Sequence, residues 1–148
     1  MITDQEYKKL KEASLFRTQE DVNFFDEGVY LAVERHDPEN LDQLLTLFDD
    51  DTDYPEVMYS LVHAIETYPD AVYVQGILNN IGNGLKNFQH WMIVLNYRIL
   101  NDEKCLKFFK SLMKKSNKED LLKLFDLIEK ESEHHRGVIQ ELRQELES

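Results

Sequence analysis

Asp53-Tyr54-Pro55-Glu56-Val57-Met58-Tyr59-Ser60-Leu61-Val62-His63-Ala64-Ile65-Glu66-Thr67-Tyr68-Pro69-Asp70 is the stretch that decides the fold. Val57, Leu61, Val62 and Ile65 recur at spacings of three and four, the period of a helix with one buried face. Asp53 and Pro55 open that helix, because a short polar side chain caps free amides and proline suits the first turn. Tyr68-Pro69-Asp70 then repeats the start signal.

The same punctuation continues in both directions. Thr3 with Glu6 and Ser116 with Glu119 read as capping boxes, while Asp37-Pro38-Glu39 and Asn101-Asp102-Glu103 read as further starts. Gly82-Asn83-Gly84 reads as a strong helix stop. Helices are therefore predicted at about 4–13, 19–35, 38–48, 55–67, 70–81, 85–100, 102–115, 117–131 and 133–146. No segment alternates with period two, so the fold class is all-α. Starts at 38, 55, 70, 85, 102 and 117 are spaced by 17, 15, 15, 17 and 15 residues, which gives a two-helix unit of about 32. That spacing predicts eight or nine helices in stacked antiparallel hairpins, an α-solenoid of HEAT-like type, with a compact helical bundle as the alternative. Phe88 to Leu100 is apolar on most sides and is expected to be the central buried helix, with Trp91 inside.

A chain of 148 residues fits one domain, 1–148, able to bury roughly 70% of its unfolded surface. The single cysteine, Cys105, rules out an internal disulfide and shares a stripe with Phe108, Phe109 and Leu112, so it is expected in the core. No basic segment followed by an apolar run opens the chain, and no window approaches the ~20 apolar residues that span a bilayer. A cytoplasmic location is expected.

Charge is distributed unevenly. Residues 1–75 hold 18 acidic against 5 basic side chains, net −13, and residues 76–148 hold 11 against 12, net +1. Between Glu20 and Glu56, Arg35 is the one basic side chain among 13 acids. Like charges packed together cost stability through self-repulsion, so a positive partner is a natural beneficiary. Nucleic acids and anionic membranes are poor candidates, and a basic protein is a better one.

Motifs that carry chemistry are weak. Asp49-Asp50-Asp51-Thr52-Asp53 has the alternating carboxylates of a calcium loop, but Tyr54 stands where the turn glycine belongs and Ser60 where the bidentate glutamate belongs. His36, His63, His90, His134 and His135 lack zinc-ligand spacing, and Glu131 with His134 or His135 reads as an incidental pair on a solvated helix. Neither a metal nor another cofactor is expected. No nucleophile elbow, phosphate loop or Cys-x-x-Cys occurs, so the chain is not expected to be an enzyme. Lys104, Lys107, Lys110, Lys114, Lys115 and Lys118 form a basic cluster that balances the C-terminal acids.

What remains is a protein-contact surface. Tyr54, Tyr59, Tyr68 and Tyr73 are interleaved with Asp49, Asp50, Asp51, Asp53, Glu56, Glu66 and Asp70, and tyrosine supplies rigid contact area with a polar tip. Tyr59 and Tyr73 lie near apolar stripes and are expected in the core. Tyr54 and Tyr68, at helix ends, are expected as surface anchors.

The stretch Asp50 to Glu66, with the apolar helix around His90-Trp91, resembles the immunity proteins of contact-dependent growth inhibition and related polymorphic toxin systems. The resemblance implies a protein that binds and blocks a toxin domain delivered by a neighbouring cell. Combined with the charge, it points to a basic, nuclease-like toxin bound through Asp49, Asp50, Asp51, Asp53, Tyr54, Glu56, Glu66, Tyr68 and Asp70. A helical adaptor with a non-toxin partner is the alternative.

Overall fold

The structure, a computed structural model, describes residues 2–148. Among them there are ten α-helices, two short 3₁₀ turns and no strand. The chain forms two compact units, Met1–Gly76 and Ile77–Ser148.

The first unit contains α1 (Asp4–Ala13), α2 (Gln19–Glu34), α3 (Pro38–Leu45), α4 (Pro55–Ile65) and the first part of α5 (Asp70–Asn79). Its starts follow the expected chemistry. Thr3 and Glu6 make both arms of a capping box, Thr18 accepts from the Asp21 amide, and Asp37 accepts from the Glu39 amide. α2 is the hub and packs on α1, α3 and α4. Its buried residues Phe25, Val29, Ala32 and Val33 meet a core that includes Leu44, Leu45, Met58, Leu61, Val62 and Ile65. Asn40 is the polar exception. Its carbonyl oxygen accepts from the Ile2 amide at 2.6 Å and its amide donates to the Ala32 carbonyl at 3.0 Å, which satisfies a fully buried side chain and ties the start of the chain to α2.

The second unit runs from the end of α5 through α6 (Ile81–Asn87), α7 (Gln89–Leu100), α8 (Glu103–Leu112), α9 (Lys118–Glu131) and α10 (Arg136–Glu147). α7 packs on α6 and α8, and α9 on α6 and α10. Trp91, Met92, Leu95 and Ile99 of α7 are buried, as the sequence predicts for the central helix.

Three local expectations are corrected. Gly82-Asn83-Gly84 is not a stop but lies inside α6, and no glycine in the described chain has a positive φ. These glycines serve close packing: a methyl on Gly84 would strike Met92, and one on Gly82 would sit 2.5 Å from an Asp120 carboxylate oxygen. The break falls instead at buried Phe88, whose φ of −149° and ψ of 59° separate α6 from α7. Asn117, rather than Ser116, caps α9 by accepting from the Asp120 amide, and Tyr54 rather than Asp53 stands at the N-cap of α4.

Two helix ends use left-handed residues that are not glycine. Phe16 follows α1 at φ 49° and His36 follows α2 at φ 50°. Phe16 is a bulky side chain in a region that costs roughly 1–2 kcal/mol, and it is held there by burial.

Candidate functional site

The acidic segment begins at Asp49, after Thr46, Leu47 and Phe48 have followed the end of α3. Asp49 accepts from the Asp51 amide at 2.9 Å and Thr52 accepts from the Tyr54 amide at 3.1 Å, so short side chains satisfy the turn that leads into α4. With the backbone satisfied locally, Asp50, Asp51 and Asp53 stand exposed, and Asp49 is half-buried. Glu56 follows, exposed in the first turn of α4, where carboxylates are favoured by the positive end of the helix dipole.

Tyr54 is the aromatic part of this surface. It is 42% exposed, and its inner edge meets the Phe16 ring edge-on at 6.0 Å. Phe16 in turn meets Phe25 at 5.1 Å and 90°. The Tyr54 ring is therefore backed by the core, which limits what it would lose in becoming fixed against a partner.

Tyr68 and Tyr59 exchange their expected roles. Tyr68 is not a surface anchor: it is 2% exposed, and its hydroxyl donates to the Asp37 carbonyl at 2.8 Å. Burial, with help from Asp37 and Asp42, pushes its pKa up to about 12. It is a bolt between the α4–α5 and α2–α3 corners. Tyr59, expected in the core, is 41% exposed because Val57, Met58, Leu61, Val62 and Ile65 form the buried stripe and position 59 falls opposite. Tyr73 is in the core as expected.

The nine residues do not form one patch. Asp49, Asp50, Asp51, Asp53, Tyr54 and Glu56 gather at the N-terminal end of α4, while Glu66, Tyr68 and Asp70 lie at its C-terminal end, an 11-residue helix or about 16 Å away. Tyr59 continues the first group along the exposed stripe Glu56, Tyr59, Ser60 and His63. Glu66 is half-buried and lies 3.7 Å from the His63 imidazole.

A second exposed region is absent from the sequence expectation. Leu15 on the α1–α2 connection and Phe24, Tyr30 and Leu31 on α2 are exposed. α2 carries more apolar residues than its single buried stripe of Phe25, Val29, Ala32 and Val33 can take, and that excess was the available signal.

The division of charge coincides with the division of structure. The boundary after Gly76 leaves the first unit with 18 acids and 5 bases and the second with 11 and 12. No group of three or more His, Cys, Asp or Glu side chains among the described residues could hold a metal ion, and no described helix is long and apolar enough to cross a membrane.

The family model for Immunity protein 30 (Imm30) matches residues 12–109, which is 98 of the 148 residues. The chain belongs to the Imm30 family. No curated protein and no solved structure matches it. The Imm30 match runs from the end of α1 into α8 and contains both exposed regions described above. An Imm30 protein is an immunity protein, a non-enzymatic inhibitor whose partner is a toxin.

Proposed function

We propose that this immunity protein neutralises a basic, nuclease-like toxin domain by placing the N-terminal end of α4 in the toxin's substrate groove. Asp49, Asp50, Asp51, Asp53 and Glu56 supply the field and Tyr54 and Tyr59 the rigid contact area. The observation that carries this reading is the confinement of a net −13 to one structural unit, beside a second unit at +1. A polarised molecule orients a cationic partner during approach and raises the encounter rate by about 10 to 1000-fold. The same field repels nucleic acid and anionic lipid, which leaves a basic protein as the partner and the cytoplasm, where a delivered nuclease finds its substrate, as the place of action.

Glu66 and Asp70 lie outside the contact itself and add to the field at longer range. Binding kinetics against a cognate toxin domain, at two salt concentrations, test the reading. Asn and Gln at 49, 50, 51, 53 and 56 are expected to slow association by one to two decades at low salt. The difference is expected to shrink as the Debye length falls from about 8 Å at physiological salt to about 3 Å at 1 M. Equal association rates at low salt would refute it.

A further inference from the structure

α2 carries a second stripe, on the side away from its core. Glu20, Phe24, Glu27, Leu31 and Glu34 follow one another at spacings of four, three, four and three, so all five share one helical face, and all five are exposed. Phe24 is 48% and Leu31 51% exposed. Acid and apolar residues thus alternate along four turns.

From Phe24 to Glu34 that face forms one wall of a groove of about 460 Å³ whose other wall is α1, and Glu20 lies beyond its end. Gly28 lets the two helices close up at its floor, since a Cβ there would lie 2.5 Å from a Leu10 methyl. Leu10 and Ala32 make the floor apolar, and Glu6, Glu27 and Glu34 stand on the rim with Lys9 and Arg35. The Thr3 amide, and then the Thr3 hydroxyl, lower the pKa of Glu6 within the capping box. α2 itself contains five acids and neither lysine nor arginine, and Glu34 sits in its last turn, where the helix dipole disfavours an anion. A cationic partner on this face would relieve that arrangement.

We propose that the α1–α2 groove receives a basic amphipathic helix of the toxin, with two apolar residues about seven apart over Phe24 and Leu31 and lysine or arginine facing Glu20, Glu27 and Glu34. Helix-in-groove recognition reads its ligand through anchors at such spacings, and seven residues of helix rise about 10 Å, the separation of Phe24 from Leu31 along α2. Charge selects the occupant. A second copy would bring like-charged stripes together, and a nucleic acid or anionic bilayer would meet the same repulsion. The proposal rests on the toxin-binding reading above and adds to it a contact on another helix, dominated by apolar anchors and so by residence time.

The test compares Phe24→Ser/Leu31→Ser with the parent and with the variant neutralised at 49, 50, 51, 53 and 56. Each is mixed with an inactivated form of the same cognate toxin domain, and hydrogen exchange is recorded on the parent with and without it. The serine variant is expected to dissociate at least tenfold faster with an association rate within about twofold of the parent, and the amides of α2 are expected to gain protection in the complex. Both side chains are exposed, so the thermal midpoint reports directly whether the fold is intact. Unchanged dissociation together with unprotected α2 amides overturns the groove proposal, while slowed association of the neutralised variant in the same series leaves the α4 reading standing. Absence of any complex with the parent overturns both. Conversion of a dimer to a monomer by the serine substitutions, with toxin binding unaltered, assigns the groove to a second copy and overturns the proposal.

Discussion

The two units solve the problem of a charged surface in opposite ways. In the second unit opposite charges meet: Arg143 reaches Asp126 at 2.6 Å and Glu129 at 2.7 Å, Lys110 reaches Glu141, and Lys118 lies 3.0 Å from Glu147. In the first unit 18 carboxylates share 5 cations, so pairing cannot neutralise it. Exposed apolar side chains follow the same division. Among the described residues Leu15, Phe24, Tyr30, Leu31, Tyr54 and Tyr59 lie in the first unit and Phe108 in the second. Exposed ion pairs contribute only about 0–1 kcal/mol each, so the contrast concerns the external field rather than stability. One unit pairs much of its charge internally, and the other retains both unbalanced charge and exposed apolar area.

The largest expected effect comes from damaging the balanced unit. Trp91 is buried in α7, and Trp91→Ala is expected to cost about 3–5 kcal/mol through lost burial and a cavity. Urea denaturation would measure it, and toxin association at temperatures where the variant remains folded is expected to be unchanged. A slowed association would mean that the second unit takes part in recognition.

A smaller effect separates the units by pH. His135 is buried beside the Tyr97 ring, stacked at 4.7 Å, with one nitrogen 2.9 Å from the Asn101 carbonyl oxygen and the other 2.6 Å from the Ser132 hydroxyl. The first nitrogen donates, since an amide oxygen can only accept, and in the neutral ring the second accepts from the Ser132 hydroxyl. Burial, and then His134, lower its pKa. Because the folded value lies below the unfolded value of about 6.5, this contribution is complete above pH 6.5 and is lost as the pH falls from there through the folded pKa. Denaturation midpoints between pH 7 and 5 are expected to fall for the parent and to flatten for His135→Gln.

The smallest expected effect has the opposite sign to most substitutions. Asp51→Asn with Asp53→Asn removes self-repulsion from exposed positions and is expected to stabilise the fold by a few tenths of a kcal/mol at low salt, vanishing at 1 M. Replacing Lys107 and Lys114 with Gln in the balanced unit is expected to give no such gain. Thermal melts at both ionic strengths distinguish the two.

These contrasts were unevenly legible in the sequence. Helix starts at Thr3, Asp37 and Asp102 were readable because a cap acts within its own first turn. The role of Gly84 was not, since it depends on where Met92 comes to rest, and that of Gly82 depends on Asp120 in α9, 38 residues away. Tyr68 was misplaced for the same reason: its hydroxyl partner, Asp37, is 31 residues distant. Tyr59 and the α2 stripe were different. Both follow from 3.6-residue arithmetic on their own helices, and the alternation of Glu20, Phe24, Glu27, Leu31 and Glu34 was present in the sequence but obscured by the denser run around Asp49.

Phe16 has a consequence for how this surface can evolve. Glycine at that position would remove the strain of φ 49° but would also remove the ring that backs Tyr54, so relief of strain and support of Tyr54 are opposed in that exchange. Change at 16 is therefore coupled to the support of the ring at 54. A family member with a small residue at the place of Phe16 is therefore expected to hold its contact aromatic from another helix, or to recognise its toxin without one.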